Sequence, residues 1–203
     1  TGYEYFSLSP DETKTFRQKI RLNRPRLWSI GDPYLYRIGV RVRLENRISD
    51  NRQLKFGIRQ IVIDSSGLYI NGKYTKLLGV NCHPDHAGLG MALPDYLQYY
   101  RVGKLKELGV NAYRTSHNPP SPELLDACDS LGMIVLDENR LVNSSPEYMD
   151  QFARLIRRDR NHPSVFLWSI GNEEGAIQTR SSGKRIAGTL LSLQRRMDPQ
   201  RLS

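Results

Sequence analysis

Cysteine is scarce in this chain: 203 residues contain two, Cys82 and Cys128. Two thiols cannot build a disulfide framework, and their spacing fits no zinc pattern. They read as free thiols, which suits a reducing compartment, although the sequence leaves cytoplasm and periplasm both open. No window approaches eighteen consecutive apolar residues, which excludes a membrane span by hydropathy. The opening Thr1-Gly-Tyr-Glu-Tyr-Phe6 has neither an initiator Met nor the basic and apolar regions of a signal peptide. A strand-like run begins almost at once, so the expectation is a chain cut from a longer one. With 38% hydrophobic and 25% charged residues, the composition is that of an ordinary globular protein and not of a disordered tail. The length gives room for one domain and part of another.

Charge of one sign is in excess, at a formal +9. That excess suggests an anionic partner such as nucleic acid. The basic residues are dispersed, however, from Arg17 to Arg52 along a run of strands, and no nucleic-acid-binding motif accompanies them. The other dense cluster, Arg154 to Arg160, sits late in an amphipathic helix, where cations suit the dipole. A solvated basic surface is the preferred reading, with neither a nucleic-acid nor a membrane partner.

The first sixty residues read as β. Tyr36 to Leu44 alternates apolar and polar, the period of a strand with one wet face, and Thr15 to Leu22 gives a weaker version. Phe56 to Asp64 runs extended into a hairpin signal around Asn71-Gly72, a pair that tolerates the two positive φ values of a tight I′ turn. After that, strand and helix alternate. Strands are expected over Leu77–Asn81, Ala112–Ser116, Met133–Asp137 and Val165–Ile170. Helices are expected over Pro94–Leu108, Pro122–Leu131, Pro146–Arg160 and about Ser182–Met197. Ser121-Pro-Glu and Ser145-Pro-Glu each place a cap, a first-turn Pro and a first-turn acid in order. Ile186, Leu190, Leu193 and Met197 form one stripe on the last helix.

Repeated βα units predict a parallel sheet with right-handed crossovers. An open doubly wound sheet is disfavoured, because Asn81-Cys-His-Pro-Asp-His-Ala-Gly-Leu-Gly90 lacks the phosphate-loop spacing. The fold class is therefore α/β: four βα units, the first half of a TIM (β/α)8 barrel, preceded by part of an immunoglobulin-like β-sandwich. The expected division is residues 1–63 and 64–203. A fifth strand would begin near Asp198 to Ser203, and the outer strands of the half-barrel would present two open edges.

In such a barrel the reactive groups sit where strands end. The four ends read Asn81 with His83 and His86; Arg114 with His117 and Asn118; Asp137 with Glu138 and Asn139; and Asn172 with Glu173 and Glu174. These polar groups suit a polyhydroxy ligand. Val165 to Gly171 is a buried strand that breaks at Gly171 and delivers Asn172 and Glu173 together, if the glycine allows a bend. His83-Pro-Asp85-His86 could supply half of a metal site, but no further ligand pattern supports it, so a metal there is not the expectation. Cys82 has no sequence-local base to make it a nucleophile. Trp168 is either a sugar-stacking platform or core. Asp137 and Glu138 either polarise the site or pair with arginines.

Two longer stretches carry a resemblance. Asn111-Ala-Tyr-Arg-Thr-Ser-His117-Asn-Pro, continuing through Leu124-Leu-Asp-Ala-Cys-Asp129 to Gly132-Met-Ile-Val-Leu136, closely resembles the first signature of glycoside hydrolase family 2. Asp159-Arg-Asn-His-Pro-Ser-Val-Phe-Leu-Trp168-Ser-Ile-Gly-Asn172-Glu173 resembles the second. Leu27 to Tyr36 and Phe56-Gly-Ile-Arg59 are similar to the family's immunoglobulin-like domain and its lead into the barrel, so the resemblance spans nearly the whole chain. It implies a retaining β-glycosidase with two glutamates. Glu173 matches the general acid/base, and Asn172 the neighbour that bonds the sugar 2-hydroxyl. His117, Arg114, His83 and Asn81 match positions near the glycone subsite, and Glu138 and Trp168 complete the expected substrate-binding set.

The family's nucleophile Glu would lie on a later strand, beyond Ser203, so the 203 residues alone are expected to be inactive. Asn118 stands where a Tyr is usual. The Glu-x-His pair that supplies magnesium ligands in some β-galactosidases is missing after Glu138, so no metal and no cofactor are expected. The Asn81 to Gly88 stretch is closer to the galactosidase branch, and a β-glucuronidase stays open. So does a non-catalytic carbohydrate-binding protein. The expected partner is a carbohydrate substrate, and a homo-oligomeric parent is compatible with the sequence.

Overall fold

The structure is a computed structural model that describes residues 2–203. Its elements run β1 (Tyr36–Leu44), β2 (Arg47–Phe56), β3 (Ile61–Asp64), β4 (Gly67–Ile70), β5 (Lys73–Tyr74), β6 (Gly79–Cys82), α1 (Asp95–Glu107), β7 (Ala112–Thr115), α2 (Pro122–Leu131), β8 (Ile134–Glu138), α3 (Pro146–Asp159), β9 (Val165–Ser169) and α4 (Ser181–Met197).

Strands β6 to β9 form one parallel sheet in chain order, with a helix in each connection: the first half of a βα barrel. The expected helix starts hold to within a residue, because capping residues and prolines mark them locally. Ser121 Oγ accepts the Leu124 N–H at 3.3 Å and Gly132 ends α2 in the left-handed conformation. Ser145 differs: it stands at the N-cap of α3 but its hydroxyl makes no capping bond. The first barrel strand begins at Gly79 and not at Leu77, since the Leu78 N–H is taken by the Asn111 side chain at 2.8 Å.

The sheet separates two cores. On its helix face Tyr113, Val135, Val165 and Trp168 pack against Leu125, Phe152, Ile156 and Leu190, with the rest of the α4 stripe alongside. Burial of such side chains stabilises by roughly 1.5–3 kcal/mol each. On the other face Ala112, Ile134 and Phe166 meet Trp28, Leu68 and Ile70. Trp28 is the anchor of this second core. Its backbone N–H donates to Ile58 O at 2.8 Å and its indole N–H to Asp129 O at 2.8 Å, while Asn71 Nδ2 holds its carbonyl at 2.9 Å. A loop residue thus becomes fully buried, which no periodicity around Leu27–Trp28 announces. Arg59 is drawn in as well. Its guanidinium donates to the carbonyls of Pro163 and Val165, and burial, reinforced by the nearby Arg201 cation, lowers its pKa to about 9.

The hairpin expected at Asn71-Gly72 forms, with φ of 53° and 77° and Ile70 opposite Lys73. It belongs to a three-stranded antiparallel sheet, β3-β4-β5. All four residues of β3 pair with β4, so the expected division after residue 63 falls inside this sheet; the hydrogen-bonded unit begins at Ile61. Ahead of it, β1 and β2 form a two-stranded antiparallel ribbon. Its alternating apolar residues, such as Val40 and Val42, are exposed because no second sheet covers them among the described residues. Thr15–Leu22 forms no strand. At the other end, Leu202 pairs in parallel with Leu167, and Trp168 N–H donates to Leu202 O at 3.0 Å. The β9 edge is therefore partly covered by the start of a fifth strand.

Gly132 joins helix cap and domain packing in one position. Its φ is 74°, and a Cβ there would lie 2.3 Å from Ile30 O. Gly132→Ala should therefore destabilise by about 1–3 kcal/mol from backbone strain alone, with the clash added. Urea denaturation of the full-length protein checks this; an unchanged midpoint would show that the Ile30 segment is not seated against α2.

Candidate active site

Strand alternation decides which polar residue reaches the site. Glu138 ends β8 facing the barrel interior and is fully buried, with 0% of its side chain exposed. Oε2 accepts from Arg114 Nε at 2.7 Å and from Ser169 Oγ at 2.9 Å, and Oε1 is 2.7 Å from His117 Nδ1. Its backbone N–H donates to Thr115 Oγ1 at 2.9 Å. Three strand ends meet at one carboxylate. Such charge-assisted bonds are shorter and stronger than neutral ones.

The partners are in turn half-open to solvent, Arg114 at 26% and His117 at 27% side-chain exposure. Facing a carboxylate, His117 presents its Nδ1–H, which leaves Nε2 as the free nitrogen. Arg114 Nη2 donates to Asn172 Oδ1 at 2.8 Å. A guanidinium has no acceptor, so the amide oxygen of Asn172 must face it and Nδ2 must face away. The His83 ring stands edge-on to His117 at 5.2 Å. Asn81 pairs in register with Arg114, and both line a concavity of about 240 Å³ on the inner face of the sheet.

Beyond β9 the chain bends at Gly171, as expected, with φ 152°. The bend is tight: a Cβ on Gly171 would lie 2.6 Å from Val142 Cγ2. Asn139 Nδ2 ties Leu141 O, at 2.9 Å, to Ile170 O, at 3.4 Å, and so holds the loop after β8 against this bend. Glu173 emerges from it exposed to solvent. Glu174 is half-buried, and its carbonyl accepts the N–H of Ile177 at 2.8 Å as the chain turns toward α4.

Asn81, His83, Arg114, His117, Glu138, Asn172 and Glu173 thus lie at the C-terminal ends of consecutive strands. Trp168 does not join them. It is buried on the helix face beside Leu190, and its indole N–H donates to Asp198 Oδ2 at 2.9 Å. The expected sugar platform is core, because alternation turns Trp168 away from the interior that Ser169 faces. Asp137 is likewise on the outer face. Cys82 is a half-buried thiol pushed up by burial, and Cys128 is buried outright, so neither is an activated nucleophile. Sequence reasoning missed Ser169 and Thr115. The available signal was a hydroxyl at the end of each flanking strand.

His83, Asp85 and His86 do not converge; His86 instead closes a turn with Gly90. The one group of metal-ligating residues found among the described residues is Asp126, Asp129 and His162. Asp129 already accepts from Ser164 N–H at 3.0 Å and from His162 Nδ1 at 2.7 Å, so the group reads as hydrogen bonding that ties α2 to the approach to β9.

The family profile "Glycosyl hydrolases family 2, TIM barrel domain" matches residues 61–146 and 143–203, and the profile "Glycosyl hydrolases family 2" matches residues 4–59. The chain belongs to glycosyl hydrolases family 2. It is 40% identical over 171 residues to the beta-galactosidase BoGH2A of Bacteroides ovatus, covering 78% of this chain and 20% of that protein. A family 2 glycosyl hydrolase from Bacteroides cellulosilyticus has a similar structure, with TM-score 0.80, 38% identity and coverage of 88% of this chain and 25% of that one. Beta-glucuronidase 3 of Bacteroides uniformis is similar at TM-score 0.79 and 34% identity, covering 89% and 25%. The chain spans about a fifth of the length of the curated relatives it matches.

On the outer face of β8 two carboxyl groups are buried side by side. Both Asp137 oxygens are buried without a donor, and the neighbouring Asp159 carboxylate is clamped by Arg158 at 2.6 and 2.7 Å. Burial first, and then the Asp159 charge, push the Asp137 carboxyl well above the usual carboxylate range, so its proton is kept and shared with Asp159. A raised folded-state pKa stabilises fully below the unfolded value near ~4 and is lost as pH rises through the folded one. Asp137→Asn keeps a donor for Asp159 at every pH. Its melting temperature relative to wild type should therefore climb between pH 5 and pH 9; a pH-independent difference would mean that Asp137 is already ionised in the fold.

Proposed function

We propose that this chain carries the acid/base half of a retaining β-glycosidase that cleaves terminal β-galactosides. The observation that carries the reading is the linked set Glu138–Arg114–Asn172 beside the exposed Glu173, built at the strand ends where βα barrels place their chemistry. Its free groups, the Asn172 Nδ2, the His117 Nε2 and the Asn81 amide, suit sugar hydroxyls. Similarity to the beta-galactosidase BoGH2A favours galactose among the glycones.

In this mechanism Glu173 protonates the glycosidic oxygen as the bond breaks and then activates the water that releases the sugar. Asn172 donates to the 2-hydroxyl oxygen, an interaction that strengthens as the ring becomes oxocarbenium-like. Retention requires a second carboxylate about 5–5.5 Å from the first. Glu138 is committed to three donors, and the family resemblance puts the nucleophile on a later strand, so the reading assigns it to a residue outside these 203. The similar fold of a beta-glucuronidase keeps β-glucuronides as the second reading. Paired aryl galactoside and aryl glucuronide assays of the full-length protein separate the two.

Glu173→Gln in the full-length protein should lower kcat/KM on substrates with poor leaving groups by about 10²–10⁴-fold. Activated aryl glycosides should lose far less at the glycosylation step, and azide should partly restore their turnover. Equal losses on both substrate types without an azide effect would remove Glu173 from the acid/base role.

Activity on an aryl galactoside should also survive prolonged chelation, because the residues after Glu138 read Asn-Arg-Leu and offer no Glu-x-His pair. A large loss restored by magnesium would show that ligands from elsewhere build a metal site.

A further inference from the structure

We infer that Glu138 is a positioning residue that never touches the sugar: it fixes the Arg114 guanidinium, and Arg114 fixes which end of the Asn172 amide faces the ligand. The kinetic part of this inference rests on the glycosidase reading; the geometric part does not.

A carboxylate at a strand end among sugar-binding groups invites two simpler roles, contact with the substrate or nucleophilic attack. Both need an oxygen that is open to the ligand. Glu138 has none, since its side chain is 0% exposed. Oε1 is bonded to His117, and Oε2 to both Arg114 and Ser169. What the carboxylate does reach are the two residues that remain partly open. Arg114 lies between β6 and β8 and has no other carboxylate partner among the described residues. Its Nε is taken by Glu138, which aims Nη2 at Asn172 Oδ1. A guanidinium can only donate, so this contact turns the amide of Asn172 with its oxygen inward and its NH2 outward. Without the anchor, the amide could present either end to a hydroxyl. Ser169 supplies the remaining donor: its one hydroxyl proton goes to Glu138 Oε2 at 2.9 Å, with Gly171 O, on the bend that carries Glu173, as the alternative acceptor at 3.1 Å.

The test uses the full-length protein and the variants Glu138→Gln, Ser169→Ala, Asn172→Ala and the double variant Glu138→Gln/Asn172→Ala. A carboxamide offers one acceptor and one donor end, so Gln at 138 must turn NH2 toward Arg114 and Ser169 or toward His117. Kinetically, Glu138→Gln should lower kcat by about 10²-fold, the scale of a misplaced site group. KM should stay within about threefold, since the lost contact strengthens in the transition state. The loss should be equal for good and poor leaving groups, unlike that of Glu173→Gln. The double variant should fall within about threefold of Asn172→Ala alone, because the two residues act in series. Ser169→Ala should show the same pattern at about 3–10-fold, the scale of one lost hydrogen bond, and carries the test if Glu138→Gln does not fold.

A raised KM with intact kcat would overturn the inference in favour of substrate contact. Azide rescue of Glu138→Gln would overturn it in favour of a nucleophile, and multiplicative losses in the double variant would break the link to Asn172. Crystal structures of wild type and of Ser169→Ala or Glu138→Gln supply an arm that needs no activity. Displaced Arg114 or Asn172 side chains support the inference, and unmoved ones overturn it. If the wild-type protein cleaves no β-glycoside, the glycosidase reading falls, and that crystallographic comparison alone decides this one.

Discussion

A carboxylate without access to water must be neutralised by its surroundings, and around Glu138 that requirement organises the whole strand-end region. Removing one partner from a buried ion pair typically costs about 3–5 kcal/mol, because the remaining charge is left uncompensated. The carboxylate draws Arg114 from β7, His117 from the turn after it and Ser169 from β9. Three connections are thereby held in register at the C-terminal ends of the strands. Half-buried Asn172 and exposed Glu173 follow the bend at Gly171, and Arg114 holds the Asn172 amide.

The two faces of β8 illustrate how a strand end divides its labour. Glu138 points inward and is surrounded by donors. Asp137, the preceding residue, points outward and has no donor, so burial keeps it protonated against Asp159. Adjacent carboxyl groups on one strand therefore meet opposite surroundings through alternation, donors on the inner face and a second carboxylate on the outer. Arg158 and Arg201 act on the outer side much as Arg114 does inside. Arg158 clamps Asp159, and Arg201 holds Asp198, the acceptor of the Trp168 indole, at 2.6 Å. Each of these three arginines is matched by an acid and so adds nothing to the net charge of +9.

The lower end of the barrel depends on a different constraint, close approach. Trp28 fills the face opposite the helices, Gly132 allows Ile30 to pass α2, and Gly57 lies where a Cβ would be 2.7 Å from Pro163 Cβ. Lys106 Nζ donates to the Gly132 carbonyl at 2.9 Å across the same junction. The segment before β1 is thus part of the barrel's packing, even though it lies more than a hundred residues from Asp129, which accepts its indole N–H.

The helices, their prolines and glycines, the parallel order of β6 to β9 and the Asn71-Gly72 turn were legible in the sequence, because each rests on signals within a few residues: periodicity, caps and positive-φ positions. The strand-end residues were legible as a set for the same reason, since strand ends follow from strand positions. Tertiary structure alone decided how each of them is used. Trp168 was expected at the site and its neighbour Ser169 was not, yet Trp168 is core and Ser169 donates to Glu138, because alternation and a bulge near Phe166 set their faces. Glu138 and Glu173 are both strand-end acids, and only burial separates the one that holds the site together from the one open to solvent. Burial and partner identity come from pairings across 21 to 58 residues of chain, as between His117 and Glu138 or Arg114 and Asn172, and no local pattern encodes them.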